Sequence, residues 1–309
     1  MTRRDLEKTF ALGLAAPHAE AQNAPPPARQ TPTRAQPTLA DRLEFFDGDV
    51  IFGPRLLPAE KNILGPPFLT AEDVLRELDY YHIREALLFH SACKFSREPK
   101  GNELLLRAIE KQRAATSPRL HAVWSIVPDA DGKLPSADSV VGSLQQHGLK
   151  AARMFPVNHR YKLDAGSEIL AALEERMAPL IIDFGITFPH NDRTDWEAVE
   201  SLLRTRPGLD LILAHPPSRQ NHHIFAMMEL TGKFHIHPAG FRVHQEVSAM
   251  CRLFGPAAVI YGSHLPYYTA AAPLAETLYS DLTFREQKMI AGDALRALLR
   301  EAKVRRAAG

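Results

Sequence analysis

FFDGDVIF, residues 45–52, is the first of eight short apolar runs in the sequence and shows the pattern that decides the fold. Its side chains alternate between two faces, as in a β-strand. One face is apolar and carries Phe46, Val50 and Phe52. The other carries Asp47, Asp49 and Ile51. We therefore predict a strand that packs against helices on one side and points polar groups to the other.

Seven similar runs follow, each separated from the next by an amphipathic helical pattern. They lie at residues 85–90, 120–127, 149–155, 179–184, 210–215, 233–237 and 257–263. Helices are predicted at 71–81, 102–114, 136–147, 166–177, 195–205, 222–231, 243–253, 271–279 and 284–302. Capping boxes support three helix starts: Thr70 with Asp73, Thr194 with Glu197, and Thr283 with Glu286.

Eight strand–helix units over residues 45–300 average 32 residues each, which is typical of a (β/α)8 TIM barrel. A doubly wound open sheet is the competing architecture, but no glycine-rich phosphate turn follows the first strand. We predict the barrel for residues 43–309.

The N-terminal residues have a different composition. Residues 1–21 combine Arg3-Arg4, a short apolar run and a small-residue site, as in a twin-arginine export signal. Residues 22–42 are rich in proline and predict a linker. These segments predict an exported, periplasmic protein; without export the protein would be cytoplasmic.

Composition excludes several classes of function. Apolar residues make up 45% of the 309, and the net charge of 37 − 36 = +1 gives no reason to expect nucleic acid as a partner. No apolar run approaches the ~18 residues of a membrane span. With only two cysteines, Cys93 and Cys251, any metal must be bound by carboxylates and by some of the 14 histidines.

Polar residues recur where the predicted strands end, and in a barrel these ends meet at one mouth. They are His90, Arg153, Asp183, His215, His237 and His264, together with Asp49 of the first strand. Each could be structural, because a histidine can bond to a backbone carbonyl and Asp47 or Asp183 can pair with Arg153. Their convergence at one end favours a functional site.

Five stretches resemble the amidohydrolase-2 group of the amidohydrolase superfamily, over residues 45–300. They are FDGDVIFG at 46–53, GLKAARMFP at 148–156, LILAH at 211–215, VIYGSHLP at 259–266 and AGDALRALL at 291–299. The resemblance implies a barrel with a metal site at its mouth. This chain departs from that site, because the first-strand histidine positions hold Asp49 and Ile51, the fifth-strand histidine is Asp183 and the eighth-strand aspartate is His264. Only the sixth-strand histidine, His215, is retained.

Two functions stay open. In the first, the protein is a divergent hydrolase, or a related lyase or decarboxylase, that acts on a small carboxylate, ester, lactone or amide. One divalent ion, zinc or manganese, would be held by Asp49, Asp183, His215 and His264. His237 or His90 would move the proton; in a metal-free variant His264 is the base.

In the metal-free variant Arg153 would clamp a substrate carboxylate or oxyanion. Tyr267 is predicted to form either a wall of the substrate site or a patch at an interface. The second function is non-catalytic: a barrel that binds a small ligand or partner after losing its metal, for which Ile51 and His264 are the main evidence. A homo-oligomer is compatible with both.

Overall fold

The computed structural model describes residues 37–56, 66–185, 194–216, 218–240 and 243–304. Eight strands are described: β1 Phe45–Phe52, β2 Ile83–His90, β3 Leu120–Ala122, β4 Trp124–Ile126, β5 Ala152–Met154, β6 Leu180–Ile182, β7 Leu211–Leu213 and β8 Phe234–Ile236. The α-helices are Leu39–Leu43, Ala71–Tyr80, Ser91–Phe95, Lys100–Ala108, Glu110–Arg113, Ala137–His147, Pro156–His159, Ser167–Glu175, Trp196–Thr205, Asn221–Leu230, Glu246–Phe254, Ala271–Leu278, Phe284–Lys288 and Ala294–Glu301. The last two flank a π-helical turn, Met289–Asp293.

All strand pairs are parallel and run in sequence order, as a (β/α)8 barrel requires. The third predicted run is split at Val123 into β3, which pairs with β2, and β4, which pairs with β5. The eighth run, 257–263, forms no extended strand: Val259 bridges to β8, and Leu265, just beyond the run, bridges to β1. These two bridges complete the ring, so the predicted barrel fold is confirmed.

Two apolar layers surround the strands. Val50 and Phe52 belong to the outer layer between strands and helices, whereas Ile51 packs in the lumen with Phe89 and Phe155. Phe46 also lies in the lumen layer, so its predicted place beside Val50 was wrong. The cause is a register shift between Asp47 and Val50, which interrupts the alternation of faces.

Local signals decide several helix starts. The capping boxes at Thr70 and Thr283 are confirmed. The predicted capping box of Thr194 with Glu197 was misplaced by one residue. Asp195 caps the helix Trp196–Thr205 by accepting the Ala198 N–H at 3.0 Å.

The predicted linker 22–42 was also wrong at its end, since Leu39–Leu43 is a helix with a capping box and a buried Leu43. The predicted export signal, 1–21, and the rest of the linker up to residue 36 lie outside the described residues. Within the ranges given above, no helix has the length and apolar content needed to cross a bilayer.

Candidate functional site

Arg153, at the centre of β5, joins two carboxylates at the mouth of the barrel. Its Nη1 lies 2.8 Å from Oδ1 of Asp49 on β1, and its Nη2 lies 2.6 Å from Oδ2 of Asp183 after β6. The guanidinium carbon stands 3.9 Å from the centroid of the Phe89 ring. All three ion-pair side chains are fully buried. Arg153 therefore holds the two carboxylates together and presents no exposed face for the clamp predicted from sequence.

Asp183 makes further contacts. Lys94 places Nζ 3.0 Å from Asp183 Oδ2, and the Gly185 N–H donates to Oδ1 at 2.8 Å. Nε2 of His215 comes within 3.4 Å of the same Oδ1. Both carboxylate oxygens are thus engaged by the protein itself.

Sequence reasoning missed Lys94. It lies on the helix Ser91–Phe95, which begins directly after β2 and was not predicted. Its signal was a single lysine inside the weakly polar stretch SACKF at a predicted strand end. Such a lysine is ordinarily exposed, and only the fold reveals that this one is buried against a carboxylate.

His264 and His215 meet above Asp49. Nδ1 of His264 lies 2.9 Å from Asp49 Oδ2, and the two imidazole centroids are 4.0 Å apart. Both histidines have left-handed backbone conformations, with φ of 36° at His215 and 59° at His264. Non-glycine residues avoid this region, and its use clusters at functional sites. In β7 the even-numbered Ile212 packs in the lumen and the odd-numbered Leu211 and Leu213 pack outward, so simple alternation would turn His215 outward.

Burial and ion pairing set the charge states of Asp49, Asp183 and His264. Burial alone would raise the pKa of Asp49, but Arg153 and His264 hold it well below its usual range. Lys94, His215 and Arg153 do the same for the pKa of Asp183. Burial, with His215 adding to it, lowers the pKa of His264 to about 3, so this imidazole is neutral at physiological pH.

Asp49, His215 and His264 could hold a metal ion. Each offers one ligand atom, and these atoms all lie within 4.8 Å of one another. Asp183, the fourth predicted ligand, is not part of this group and is occupied by Arg153 and Lys94. Ile51 is buried in the lumen layer and fills a position where the resembled family has a ligand.

His237 extends the site toward the barrel interior. Its Nδ1 lies 2.9 Å from the Ile260 carbonyl oxygen, and its buried Nε2 has no hydrogen-bond partner among the described residues. A Cβ on Gly48 would lie 2.5 Å from the imidazole, and one on Gly262 equally near, so the ring occupies space that only glycines leave. Burial lowers the pKa of His237 to about 4, partly offset by Asp49.

His90 is placed apart from the ion-pair cluster. Its Nδ1 accepts the Ala92 N–H at 3.1 Å, so it caps the helix Ser91–Phe95 that carries Lys94. Burial lowers its pKa. Its position in β2 shares the outward phase of Ala86 and Leu88, while Leu87 and Phe89 line the lumen.

Asp47 links the first strand to the chain after β8. Its Oδ1 accepts the N–H groups of Asp49, at 3.1 Å, and Ser263, at 2.9 Å. Burial raises its pKa to about 7, although the hydrogen bonds from Ser263 and Asp49 oppose this shift.

An aromatic wall borders the histidines. Tyr267 and Tyr268 place their ring centroids 5.8 and 5.4 Å from that of His264. Phe95 continues the wall at 5.7 Å from Tyr267, and Arg55 stacks on Tyr267 at 5.2 Å. The predicted wall residue, Tyr267, thus adjoins the metal-ligand candidates.

Comparison with known proteins places the fold. No family model and no curated protein sequence matches the chain. Among solved structures, a 5-carboxyvanillate decarboxylase of Novosphingobium aromaticivorans, complexed with manganese and 4-hydroxy-3-methoxy-5-nitrobenzoic acid, aligns with a TM-score of 0.67 at 13% identity, covering 83% of this chain and 96% of that one.

Two further structures align over similar lengths. A dihydroxybenzoic acid decarboxylase of Polaromonas, with manganese and 2-nitroresorcinol, has a TM-score of 0.63 at 10% identity, covering 83% of this chain and 96% of that chain. A probable 2-pyrone-4,6-dicarboxylic acid hydrolase of Acinetobacter baumannii, with citric acid bound, has a TM-score of 0.58 at 13% identity, covering 83% of this chain and 99% of that chain. At these identities the likeness establishes the barrel fold.

Proposed function

We propose that this protein is an enzyme of the hydrolase or decarboxylase type, acting on a small carboxylate at the mouth of its barrel with the help of one divalent metal ion. The observation that carries the proposal is the convergence of Asp49, His215 and His264, with one ligand atom from each inside 4.8 Å. Two imidazoles and one carboxylate suit zinc, manganese or iron(II) and leave coordination positions for a substrate.

The donor set fits a metal on its own chemistry. The buried Nε2 of His215 has Asp183 Oδ1 at 3.4 Å but no well-formed hydrogen bond among the described residues, so a closer ligand would satisfy it better. His264 places Nδ1 2.9 Å from Asp49 Oδ2, and a neutral imidazole has one unprotonated nitrogen that can bind a metal. A bound ion would polarise a substrate oxygen or lower the pKa of a water molecule.

Charge balance favours an anionic substrate. Without a metal, Asp49 and Asp183 are neutralised by Arg153 and Lys94, and the imidazole of His264 is neutral. A divalent ion would therefore leave this buried group with a charge of about +2. Uncompensated charge in a dry site is expensive, so a carboxylate ligand would be strongly preferred.

His237 is suited to accept a proton. Burial keeps it neutral, its Nδ1 is held by the Ile260 carbonyl, and its Nε2 lone pair is unoccupied in the described structure. A neutral imidazole with one nitrogen fixed and the other open can act as a general base. His90 serves the fold by capping a helix, which leaves the proton-transfer role to His237.

The solved structures with this fold support the same class of chemistry. Two of them are aromatic acid decarboxylases with manganese, and a third is named as a hydrolase of a pyrone dicarboxylate. The hydrolase and decarboxylase alternatives differ in the bond broken, and both begin with an anionic substrate at the barrel mouth.

Metal analysis tests the proposal. Purified protein would be equilibrated with manganese or zinc, desalted and assayed for bound metal, with the expected result of about one ion per chain. Asp49→Asn and His215→Gln should each lose the ion. His235→Gln is the matched control, because His235 pairs with Asp210 at the opposite end of the barrel and should leave metal content unchanged.

A substrate panel then separates the reactions. Carbon dioxide release from aromatic carboxylates would identify a decarboxylase, whereas acid release from lactones, esters or amides would identify a hydrolase. Wild-type protein that retains no metal and turns over no member of either panel would contradict the proposal and favour the non-catalytic ligand-binding barrel.

A further inference from the structure

Lys94 is a buried lysine that has no assigned function in the proposed reaction. It is only 3% exposed, on a five-residue helix just after β2. Lysine is almost never this buried without a reason, since its ammonium group needs several acceptors. The described residues bring one carboxylate, that of Asp183, into ion-pair range of its Nζ.

Three contacts hold the Lys94 helix in place. His90 caps it, the Ser91 hydroxyl donates to the Pro54 carbonyl at 2.8 Å, and His159 Nε2 lies 2.8 Å from the Cys93 carbonyl oxygen. Burial lowers the pKa of His159 to about 4, so the ring is neutral and donates through Nε2. A helix this short is unstable alone, and these contacts fix the direction of Lys94.

Arg153 cannot take the part of a substrate-binding cation. It is fully buried, two of its nitrogens are bonded to Asp49 and Asp183, and Phe89 covers one guanidinium face. Its Nη1 and Nη2 are engaged in buried ion pairs, and its Nε, which has no hydrogen-bond partner among the described residues, is as fully buried as the rest of the side chain. Lys94 differs because its ammonium group carries three N–H donors, and the ion pair to Asp183 needs one of them.

The position of Lys94 also suits an incoming ring. Its Nζ lies 5.3 Å from the centroid of Phe95, and Phe95 stacks beside Tyr267, which neighbours His264. A continuous aromatic wall thus runs from the lysine to the metal-ligand candidates. A flat ligand on this wall could direct a carboxylate to the ammonium group.

We propose that Lys94 is a specificity-determining residue that binds a carboxylate group of the substrate directly. The inference rests on the proposed function, because it assigns that substrate's carboxylate to a particular residue. Binding of the carboxylate by Lys94 requires no covalent bond to form or break. Arg153 is then a positioning residue that holds Asp49 and Asp183.

Binding of benzoate, compared with its uncharged analogue benzamide, tests the inference. Affinities would be measured by calorimetry on the metal-equilibrated protein, with metal content and melting temperature recorded for every variant. Lys94→Met should weaken benzoate binding about ten- to hundredfold, the loss of one charged hydrogen bond, and leave benzamide binding and metal content unchanged. Lys94→Arg, which keeps a charge beside Asp183, should retain benzoate binding closer to that of the wild type.

Two further variants sharpen the test. Lys111→Met removes an exposed lysine and should alter nothing. Arg55→Met removes the guanidinium stacked on Tyr267 and should affect benzoate less than Lys94→Met does. If Lys94→Met does not fold, Lys94→Gln, which removes the charge but keeps a polar group beside Asp183, replaces it in the same comparison: benzoate affinity should fall and benzamide affinity should not, and equal affinities for both ligands in Lys94→Gln and the wild type would overturn the inference.

Three results would overturn the inference: no benzoate binding by wild type, unchanged benzoate affinity in Lys94→Met, or equal losses for benzoate and benzamide. Failure of metal binding, with benzoate still dependent on Lys94, would instead remove the metal from the proposed function and leave the role of Lys94 standing.

Discussion

The two ends of the barrel use the same residue types for different purposes. At the amino-terminal end, Glu85 pairs with His121 at 2.9 Å and Arg296 at 2.8 Å. At the same end of the barrel but on other strands, Asp210, just before β7, pairs with Lys233 and His235. At the mouth, Asp49 and Asp183 likewise combine with cations and histidines, but every member is buried.

The difference lies in solvent access and in how completely each group is satisfied. The Glu85 cluster keeps side chains 20–30% exposed, so water completes its hydrogen bonds. At the mouth the charged groups are buried, His215 and His264 have left-handed backbone conformations, and the buried Nε2 of His237 has no hydrogen-bond partner in the described structure. A histidine beside a carboxylate therefore indicates function only when burial and strain accompany the pair.

Removal of Arg153 should have the largest effect on stability. Arg153→Met leaves two buried carboxylates without their shared cation and is expected to cost about 5 kcal/mol of unfolding free energy. Urea denaturation of the variant and the wild type measures this loss of unfolding free energy. Lys233→Met, at the amino-terminal end, breaks a partly exposed pair and should cost below about 1 kcal/mol. Similar losses for both variants would erase the distinction between the two ends.

The pH dependence of stability should depend on Asp47. Its folded pKa of about 7 lies above the ordinary 3.8, so its contribution is complete below pH 4 and is lost as the pH rises through 7. The shift corresponds to about 4 kcal/mol at most. Asp49 and Asp183 have lowered pKa values, so their contributions are nearly constant above about pH 5. The buried histidines His159, His237 and His264 also have lowered pKa values, so their contributions have the opposite sign and are lost as the pH falls.

Asp47→Asn is the variant that checks this pH dependence, because the amide oxygen can still accept the two backbone N–H groups. Because the buried histidines are the same in both proteins, their contributions cancel in the difference, and the unfolding free energy of Asp47→Asn relative to that of the wild type should rise by up to about 4 kcal/mol between pH 4 and pH 8. Parallel profiles would mean that Asp47 is not the group responsible.

Two histidine substitutions should separate binding from structure. His264→Gly relieves a left-handed backbone, which offsets lost packing, so stability should change by about 1 kcal/mol or less while the metal is lost. His235→Ala removes a buried ring bonded to the Ala257 carbonyl and should cost about 1–3 kcal/mol with the metal retained. Metal analysis and thermal denaturation of both variants check the contrast.

The smallest effect is expected at Glu85. Glu85→Gln should change the unfolding free energy by about 1 kcal/mol or less, because its pairs with His121 and Arg296 are partly solvated. Metal content and benzoate affinity should equal those of the wild type. A loss of either would show that the two ends of the barrel are coupled.

Much of the fold could be predicted from the sequence because strand and helix periods are local. Seven of the predicted runs coincide with strands, although all but the first differ at their ends. The eighth predicted strand, 257–263, is not an extended strand in the structure. Its residues are apolar enough for a strand, but within this run only Val259 bridges to a neighbouring strand. The register shift at Asp47 broke the alternation and moved Phe46 to the lumen, which no period-two rule anticipates.

The candidate site was predictable in part. Strand-end position selected Asp49, Asp183, His215 and His264, and these four side chains lie together in the structure. The prediction for His215 was right, but its argument was incomplete. Strand alternation alone would turn the side chain outward, and its direction toward the site depends on a positive φ. Lys94 was missed because its helix is shorter than any periodic pattern can reveal.

The sequence by itself determined the barrel, its apolar layers and the kinds of ionisable groups at its mouth, because these depend on periodicity and composition. Only the tertiary structure decided which groups pair. Arg153 binds Asp49 and Asp183, Lys94 adds to Asp183, and three ligand atoms remain for a metal. Those pairings join residues 104 positions apart for Asp49 and Arg153, 30 for Arg153 and Asp183, and 183 − 94 = 89 for Lys94 and Asp183, and their strength depends on burial that no local pattern encodes.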